Sequence, residues 1–328
     1  MATENHWQVV PFDEFELPSA PARTIMQKGL DKFKRIVGIT KSEQNDSQQD
    51  DAPHYREFDR APAVAALESS FGDWADDDNA TSVRWLISPP YSGAGQCARD
   101  WAKQRQWTLP EPPPAENLSQ DSLAAWQGPK KGQPWVLTTL SAYWLRDTQR
   151  MTFLRTLLAA LMRGDFGKGL VVCDSWTFAF IQRAWTFEIP HSYCFAAATP
   201  ELLQQVGIEA RTKQARELLA ETRGNLGVTM AIWALQQQEN PTRPELPRDC
   251  NDFTAFILHS LLLHHGLSEQ QLISVLPLIP AAQRNVQLAN LAAHHIIEPK
   301  NNQWRVAVTA YPLVRDMLAG RGFWLDQF

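Results

Sequence analysis

Residues 82–106, SVRWLISPPYSGAGQCARDWAKQRQ, decide the fold of the chain around them. The apolar run 83–87 has the length of a buried strand, and residues 89–95 form a turn rich in proline and glycine. The pattern then predicts a helix that starts near Gln96. A strand, a glycine-containing loop and a helix in this order can hold an anion, because the first N–H groups of a helix have no partner within it.

The phosphate-binding pattern GxxxxGK(S/T) falls on residues 90–97, and three of its defining positions are changed. Pro90 stands at the first glycine, Gln96 at the lysine, and Cys97 at the Ser or Thr. Glutamine carries no charge to neutralise a phosphate, and a thiol is a poor ligand for magnesium. A vestigial nucleotide site on this loop would consist of Ser92, Gly93, Ala94, Gly95, Gln96 and Cys97.

The overall composition narrows the class of protein. The chain has 328 residues, 44% of them hydrophobic, which is enough for a sizeable core and favours two domains with extensions. Its apolar runs are shorter than the roughly 20 residues of a membrane span, and its first residues show no signal-peptide pattern, so we expect a cytoplasmic protein. Four cysteines without CxxC spacing indicate reduced packing residues and predict no metal site. The net charge of −5 gives no basic field for nucleic acid.

The first 62 residues form three segments of different composition. Residues 1–21 are acidic and aromatic and contain prolines, which predicts an extended segment. Residues 22–41 predict an amphipathic basic helix, and residues 42–62, which are polar, predict a flexible linker. The helix could dock onto a partner protein, lie on the anionic inner face of a membrane, or pack on its own chain. Its candidate docking residues are Ile25, Met26, Lys28, Leu30, Lys32, Phe33, Lys34 and Arg35.

From residue 82 onwards, apolar strands alternate with helical patterns, which predicts an α/β fold with a parallel sheet. The predicted strands are 83–87, 107–109, 135–140, 169–174 and 192–197. Helices are predicted between these strands and over residues 210–239, where a break at 223–227 separates two helices.

Residues 249–328 predict three helices followed by a hairpin, which is the order of a winged helix. The predicted elements are helices at 253–265, 268–276 and 281–295, and a hairpin that turns at 299–302. Ser268 suits the N-cap of the second helix. The third helix carries one basic residue, Arg284, and the wing adds Lys300 and Arg305. Because DNA affinity comes largely from neutralised phosphates, this composition favours a protein-docking domain over a DNA-binding one.

Two histidine pairs, at residues 264–265 and 294–295, are the remaining candidates for metal ligands. Adjacent histidines on a helix point in different directions, which disfavours a shared metal ion. We predict that both pairs cover the C-terminal ends of helices, where positive charge is favourable.

The order of these elements resembles the P-loop ATPase core of AAA+ and STAND-type proteins over roughly residues 80–320. The resemblance implies an ATPase-like domain at 63–209, a helical lid at 210–240 and a winged helix at 249–328. In such proteins a lysine neutralises phosphate charge, and an acidic pair at the end of a later strand holds Mg²⁺. In this chain the corresponding strand ends in residues 137–140, LTTL.

The resemblance also assigns Asp174, at the end of the next strand, to the position of a polar sensor residue, and Arg223 to a sensor position in the lid. STAND-type lids carry a Gly-x-Pro turn near the adenine, whereas residues 224–227, GNLG, lack the proline. The missing lysine, hydroxyl and acids together remove most of the electrostatic stabilisation on which phosphoryl transfer depends.

The sequence therefore predicts a catalytically inactive ATPase-like adaptor or regulatory protein that acts on a protein partner. Two alternatives stay open: a regulatory switch that binds ATP or ADP, and a winged-helix regulator that binds DNA. Oligomerisation is compatible with all three.

Overall fold

The computed structural model describes residues 5–19, 58–113, 123, 126, 128–130, 132–185, 188–323 and 327–328. The predicted basic helix at 22–41 and residues 42–57 of the predicted linker lie outside the described residues. Within the described ranges, no helix has both the length and the apolar composition to cross a membrane.

A mostly parallel sheet forms the centre of the fold, with five strands in the part of the chain that the structure describes. The strands are β1 (Val9–Pro11), β2 (Val83–Ser88), β3 (Trp135–Leu137), β4 (Gly169–Asp174) and β5 (Ser192–Phe195). Their order is β1-β5-β2-β4-β3. Strands β2 to β5 run parallel, and β1 adds antiparallel to the edge of β5. The predicted α/β fold with a parallel sheet is therefore confirmed.

The central strands are buried on both faces of the sheet. In β2, Trp85 and Ile87 pack into one core, whereas Leu86 packs into a second core on the other face. In β4, Val171 and Val172 divide between the two cores in the same way. This double burial explains why these strands are continuous apolar runs in the sequence instead of alternating patterns.

Helices cover both faces of the sheet. They are α1 (Ala61–Asp76), α2 (Ala94–Gln104), α3 (Thr148–Arg163), α4 (Ser175–Ala184), α5 (Pro200–Gln205), α6 (Thr212–Thr222) and α7 (Leu226–Gln236). The predicted break within residues 210–239 is confirmed. Arg223 ends α6 in the left-handed conformation, and the Asn225 side chain caps α7 by accepting from the N–H of Val228.

The C-terminal region follows the predicted order of three helices and a hairpin. Its elements are α8 (Asp252–Leu263), α9 (Glu269–Val275), α10 (Ala281–Ala293), β6 (Ile297–Lys300), β7 (Gln303–Val306) and α11 (Tyr311–Gly320). Ser268 caps α9 as predicted, in a capping box with Gln271. The hairpin turns through Asn301 and Asn302, both with positive φ, as a two-residue turn between twisted strands requires.

The sheet differs from the sequence-based predictions in three details. Strand β3 ends at Leu137 instead of residue 140, because Leu140–Tyr143 form a short 3₁₀ helix. Residues 107–109 contribute one isolated bridge, between Thr108 and Trp135, instead of a strand. Strand β1 was not predicted, because a three-residue strand that ends in proline is too short to show a pattern.

The segment at residues 5–19 is packed on the sheet. Trp7 is buried just before β1, where its ring stacks on Phe58 and meets Phe195 edge to face. This part of the predicted extended segment therefore contributes to the second core.

Candidate nucleotide site

The loop between β2 and α2 adopts left-handed conformations that suit a tight turn after a strand. Tyr91 and Gly93 have φ values of +67° and +82°. Helix α2 begins directly afterwards at Ala94, two residues earlier than predicted. Gly93 occupies the N-cap position, and its carbonyl accepts from the N–H groups of Gln96 and Cys97. The bounds of the strand, loop and helix that the sequence predicts therefore agree with the structure to within two residues.

The start of α7 lies directly against this loop. The Asn225 side chain donates a hydrogen bond from Nδ2 to the carbonyl oxygen of Pro90, at 2.7 Å. Gly227 lies so close that a Cβ atom added there would be 1.8 Å from the carbonyl oxygen of Tyr91. Because any side chain would collide with backbone, only glycine fits at this position. The start of α7, which belongs to the segment predicted to be a lid, is thus in direct contact with the loop.

The C-terminal region also contacts the loop between β2 and α2. The Tyr91 hydroxyl donates to the carbonyl oxygen of Val306, the last residue of β7, at 2.6 Å. Its ring also meets the ring of Tyr311 edge to face, with centroids 5.7 Å apart. The loop is therefore bound to β2, to α7 and to the C-terminal hairpin at once.

The space beside the loop is filled by residues from both ends of the chain. A cavity of about 30 Å³ remains there, lined by Ser92 of the loop and by Arg223, Phe15 and Phe328. The rings of Phe15 and Phe328 are in contact, with centroids 4.5 Å apart. Arg223 donates from Nη1 to the carbonyl oxygen of Phe328 at 2.8 Å. Clefts that bind small molecules usually enclose about 300–1,000 Å³, so this space has no room for a nucleotide base.

The two changed positions at the start of α2 face in different directions. The Gln96 side chain is exposed, whereas the Cys97 thiol is fully buried in the second core. Burial raises the pKa of Cys97 to about 12, so the thiol stays protonated and does not act as an anionic ligand. Gly95, which precedes both residues, lies against the end of β3, where an added Cβ would be 2.6 Å from the carbonyl oxygen of Thr138.

Hydroxyl groups follow β3 at the position where an acidic pair would hold Mg²⁺. Thr138 Oγ1 accepts a hydrogen bond from the guanidinium of Arg99 at 3.2 Å. The hydroxyls of Thr139 and Ser141 are hydrogen-bonded to each other at 3.1 Å. Uncharged hydroxyls beside a guanidinium are weak ligands for a hard divalent cation, which prefers carboxylates.

Asp174 joins the sheet to the C-terminal region. It ends β4 beside Ser88 of β2, and its carboxylate caps α4 by accepting from the N–H of Trp176 at 2.8 Å. The other carboxylate oxygen, Oδ2, lies 2.7 Å from Nε2 of His265. Burial alone would lower the pKa of His265, but the charge and hydrogen bond of Asp174 outweigh it and raise the pKa. The predicted sensor residue is therefore engaged in an ion pair that connects two regions.

The histidine pairs lie at helix ends, as predicted. His264 and His294 are the C-cap residues of α8 and α10, and the residues that follow them, His265 and His295, have positive φ. His264 is buried, and its Nε2 accepts from the backbone N–H of Arg146 at 3.2 Å. Within the described ranges, no three His, Cys, Asp or Glu residues are grouped as a metal site would require.

Of the site residues predicted from the sequence, Ser92 and Arg223 line the cavity beside the loop, whereas Asp174 does not. The other residues that line this cavity were not predicted. Asn225 and Gly227 were visible as a turn without any sign that they contact the loop. Phe15 and Phe328 lie more than 300 residues apart in the chain, and their only signal is that aromatic residues occur near both ends.

Comparison with known proteins adds little to this description. No protein-family model matches the chain, and no curated protein is detectably similar to it. Among solved structures, a Walker-type ATPase of Pyrococcus abyssi aligns with 80% of this chain and 99% of its own, at 12% identity and a TM-score of 0.31. The fold assignment rests on the sheet and helices described above, since a similarity at this level carries no conclusion about activity.

Proposed function

We propose that this protein is a catalytically inactive ATPase-like adaptor or regulator that acts through protein–protein contacts. The observation that carries the proposal is the cavity of about 30 Å³ beside the loop, where an ATPase would hold its nucleotide. Phe15 and Phe328 fill that space, and Arg223 is hydrogen-bonded to Phe328. These side chains connect segments at the place where a ligand would contact the loop. A neighbouring cavity of about 740 Å³ shares Ala196, Ala197 and Ala198 with this space, but no residue of the loop lines it.

The chemistry of the loop supports the same proposal. Phosphoryl transfer depends on cations that neutralise the phosphates and on acids that hold magnesium. Gln96 replaces the cation, and the hydroxyls of Thr138 and Thr139 stand where the acids would be. Removal of one such charged group from an enzyme commonly costs two or more orders of magnitude in rate, so the combined changes predict no useful hydrolysis.

We further propose that α8, α9, α10 and the β6–β7 hairpin form a winged helix that binds protein instead of DNA. Arg284, the one basic residue of α10, is buried, with Nη1 donating to the carbonyl oxygen of Ile279 at 3.3 Å. The exposed positions of α10 include Asn285, Val286 and Ala289, none of them charged. An uncharged helix face neutralises no phosphates and is therefore poorly suited to DNA.

Calorimetric titration of the full chain with ATP and Mg²⁺ tests the central proposal. We expect no binding tighter than about 100 μM. The matched control is Gln96→Glu, which places a negative charge at the loop without changing its shape. A substitution at Gly95 would be less informative, because its Cβ would collide with Thr138. Tight ATP binding that Gln96→Glu weakens would contradict the proposal and favour the nucleotide-binding switch.

A second variant distinguishes two hypotheses: a site that side chains block, and a site that lacks the residues needed to bind ATP. Phe328→Ala removes the ring that contacts Phe15 and enlarges the space beside the loop. If the loop chemistry is lost, this variant also fails to bind ATP. If it gains ATP binding, the site is competent but closed, and the regulatory switch becomes the better interpretation.

Recruitment through residues 22–41 stays a prediction, because this segment lies outside the described residues. We propose that it docks onto a protein or an anionic membrane surface through its basic face. Flotation of the full chain with phosphatidylserine vesicles, compared with a variant in which Lys32, Lys34 and Arg35 are changed to Glu, distinguishes the two. Loss of flotation in the variant indicates a membrane, and no flotation of either protein contradicts the membrane interpretation.

A further inference from the structure

A groove between α3 and α9 combines apolar surface with unneutralised positive charge. Its volume is about 510 Å³, within the usual range for binding clefts. Arg146 and Arg155 lie on one side, and Met151, Trp185 and Val275 supply apolar surface. None of the residues that line the groove belongs to the loop between β2 and α2 or to α7.

The two arginines of the groove form no ion pair with an acidic side chain of the described residues. Arg155 is exposed on α3, and Arg146 is partly buried just before it. Asp147 also lines the groove, but it caps α3 and pairs with Arg150 at 2.9 Å. The guanidinium of Arg146 has one distant contact, to the Ser260 hydroxyl at 3.5 Å. A partly buried cation without a counter-charge is unfavourable, so an incoming carboxylate would be stabilised here.

Two exposed aliphatic side chains are next in sequence to residues that line the groove. Pro277 lines the groove, and the next residue, Leu278, is 91% exposed. Ile273, beside the lining residue Ser274, is 41% exposed. Single exposed aliphatic residues are common on protein surfaces, but two that directly adjoin groove-lining residues in sequence favour an amphipathic partner.

We propose that this groove binds an acidic, amphipathic segment of a partner protein, with carboxylates at Arg146 and Arg155 and an apolar side chain against Met151 and Val275. The inference rests on the proposed adaptor function, since it names the class of partner. A protein segment fits better than nucleic acid, because two cations neutralise few phosphates and the surface between them is apolar. The concave shape also disfavours a flat membrane surface.

An unbiased peptide selection tests the inference. The full chain is immobilised and used to select 12-residue peptides from a random phage-displayed library, and the affinities of enriched peptides are measured by fluorescence anisotropy. We expect enriched peptides that combine acidic with apolar residues. Arg155→Glu should weaken their binding at least about tenfold, because it replaces attraction by repulsion at the groove. Replacing the acidic residues of the peptide by their amides should weaken binding similarly.

The matched control is Arg243→Glu, which makes the same charge change at an exposed arginine in the connection between α7 and α8. This control should leave peptide binding unchanged. Absence of enrichment, enrichment of peptides without acidic residues, or an equal loss with Arg243→Glu would each overturn the inference. So would Arg155-dependent binding of a 20-nucleotide single-stranded DNA or of phosphatidylserine vesicles in place of peptides. The ATP titration does not involve this groove, so the two proposals can fail separately.

Discussion

The loop between β2 and α2 and the groove between α3 and α9 differ in whether their polar groups have partners elsewhere in the chain. At the loop, Pro90 and Tyr91 have hydrogen-bond partners on α7 and on the C-terminal hairpin, and aromatic rings fill the adjacent space. At the groove, Arg146 and Arg155 have no acidic partner among the described residues, and Leu278, which follows the lining residue Pro277, is exposed. The loop is therefore suited to a structural role, in which it connects the sheet to α7 and the C-terminal hairpin. The groove is instead suited to bind another molecule.

This difference shows why a motif position alone is a poor guide to function. The loop has the sequence pattern of a ligand site, yet its contacts are those of a packed interior. The groove has no motif, yet it carries the unpaired charge and exposed apolar surface that a binding site needs. Substitutions at the loop should therefore change the free energy of unfolding, whereas substitutions at the groove should change binding alone.

Among single substitutions, the largest effect is expected from Gly227→Ala. The added Cβ would lie 1.8 Å from the carbonyl oxygen of Tyr91, so the loop or the start of α7 must move. We expect a loss of roughly 3 kcal/mol in the free energy of unfolding, measured by urea denaturation. Gly320→Ala is the control, since an added Cβ there meets nothing within 4 Å. Equal stability of the two variants would show that the loop and α7 are not in contact.

Acid should destabilise the protein through two histidines near Arg146, of which His264 is buried and His259 is half-buried. Burial lowers the pKa of His259 to about 4 and that of His264 to about 3, whereas both have ordinary values near 6.5 in the unfolded chain. Below about pH 6.5 the unfolded chain binds protons that the folded protein does not, so stability falls as the pH falls. The loss at pH 5 is roughly 2 kcal/mol for each histidine. Urea denaturation at pH 7.5 and pH 5 measures it.

His264→Gln provides the control for this pH dependence. The amide oxygen of a glutamine side chain can still accept a hydrogen bond from the N–H of Arg146, but the amide cannot take up a proton. The variant should therefore lose about half of the destabilisation between pH 7.5 and pH 5. The raised pKa of His265 acts in the opposite direction, because its ion pair with Asp174 is complete at low pH and weakens as the pH rises above that pKa. An unchanged pH dependence in His264→Gln would contradict the assignment.

A smaller effect is expected from Tyr91→Phe. The substitution removes the hydroxyl that donates to Val306 at 2.6 Å and keeps the ring against Tyr311. A single hydrogen bond of this kind contributes about 1 kcal/mol to the free energy of unfolding. Tyr193→Phe serves as control, because the Tyr193 hydroxyl has no hydrogen bond within the described residues. If both variants are equally stable, the loop is not held by the hairpin.

The smallest effect on stability is expected from Arg155→Glu in the groove. Arg155 is exposed and has no ion pair with the described residues, so the free energy of unfolding should change by less than about 0.5 kcal/mol. The same variant is expected to weaken binding of acidic peptides strongly. A large loss of stability would show that Arg155 has a structural role, and the comparison between loop and groove would no longer hold.

The sequence alone was enough to predict the α/β fold, the strands at 83–87 and 169–174, the helical break near Arg223 and the C-terminal hairpin. These features depend on local patterns: apolar runs buried on both faces, glycine or asparagine at positive φ, and capping side chains such as Ser268. The changed residues Gln96 and Cys97, and the threonines after β3, were also visible, because the phosphate-loop pattern has fixed spacing.

Only the tertiary structure determines which residues contact the loop and which charged side chains have no ion pair among the described residues. The contact of Gly227 with Tyr91 and the meeting of Phe15 with Phe328 join residues that are more than 130 and 300 positions apart in the sequence. The free energy of such contacts depends on the folded geometry, and no local pattern encodes it. The same holds for Arg146 and Arg155, which have no acidic partner among the described residues because of how α3 and α9 lie beside each other.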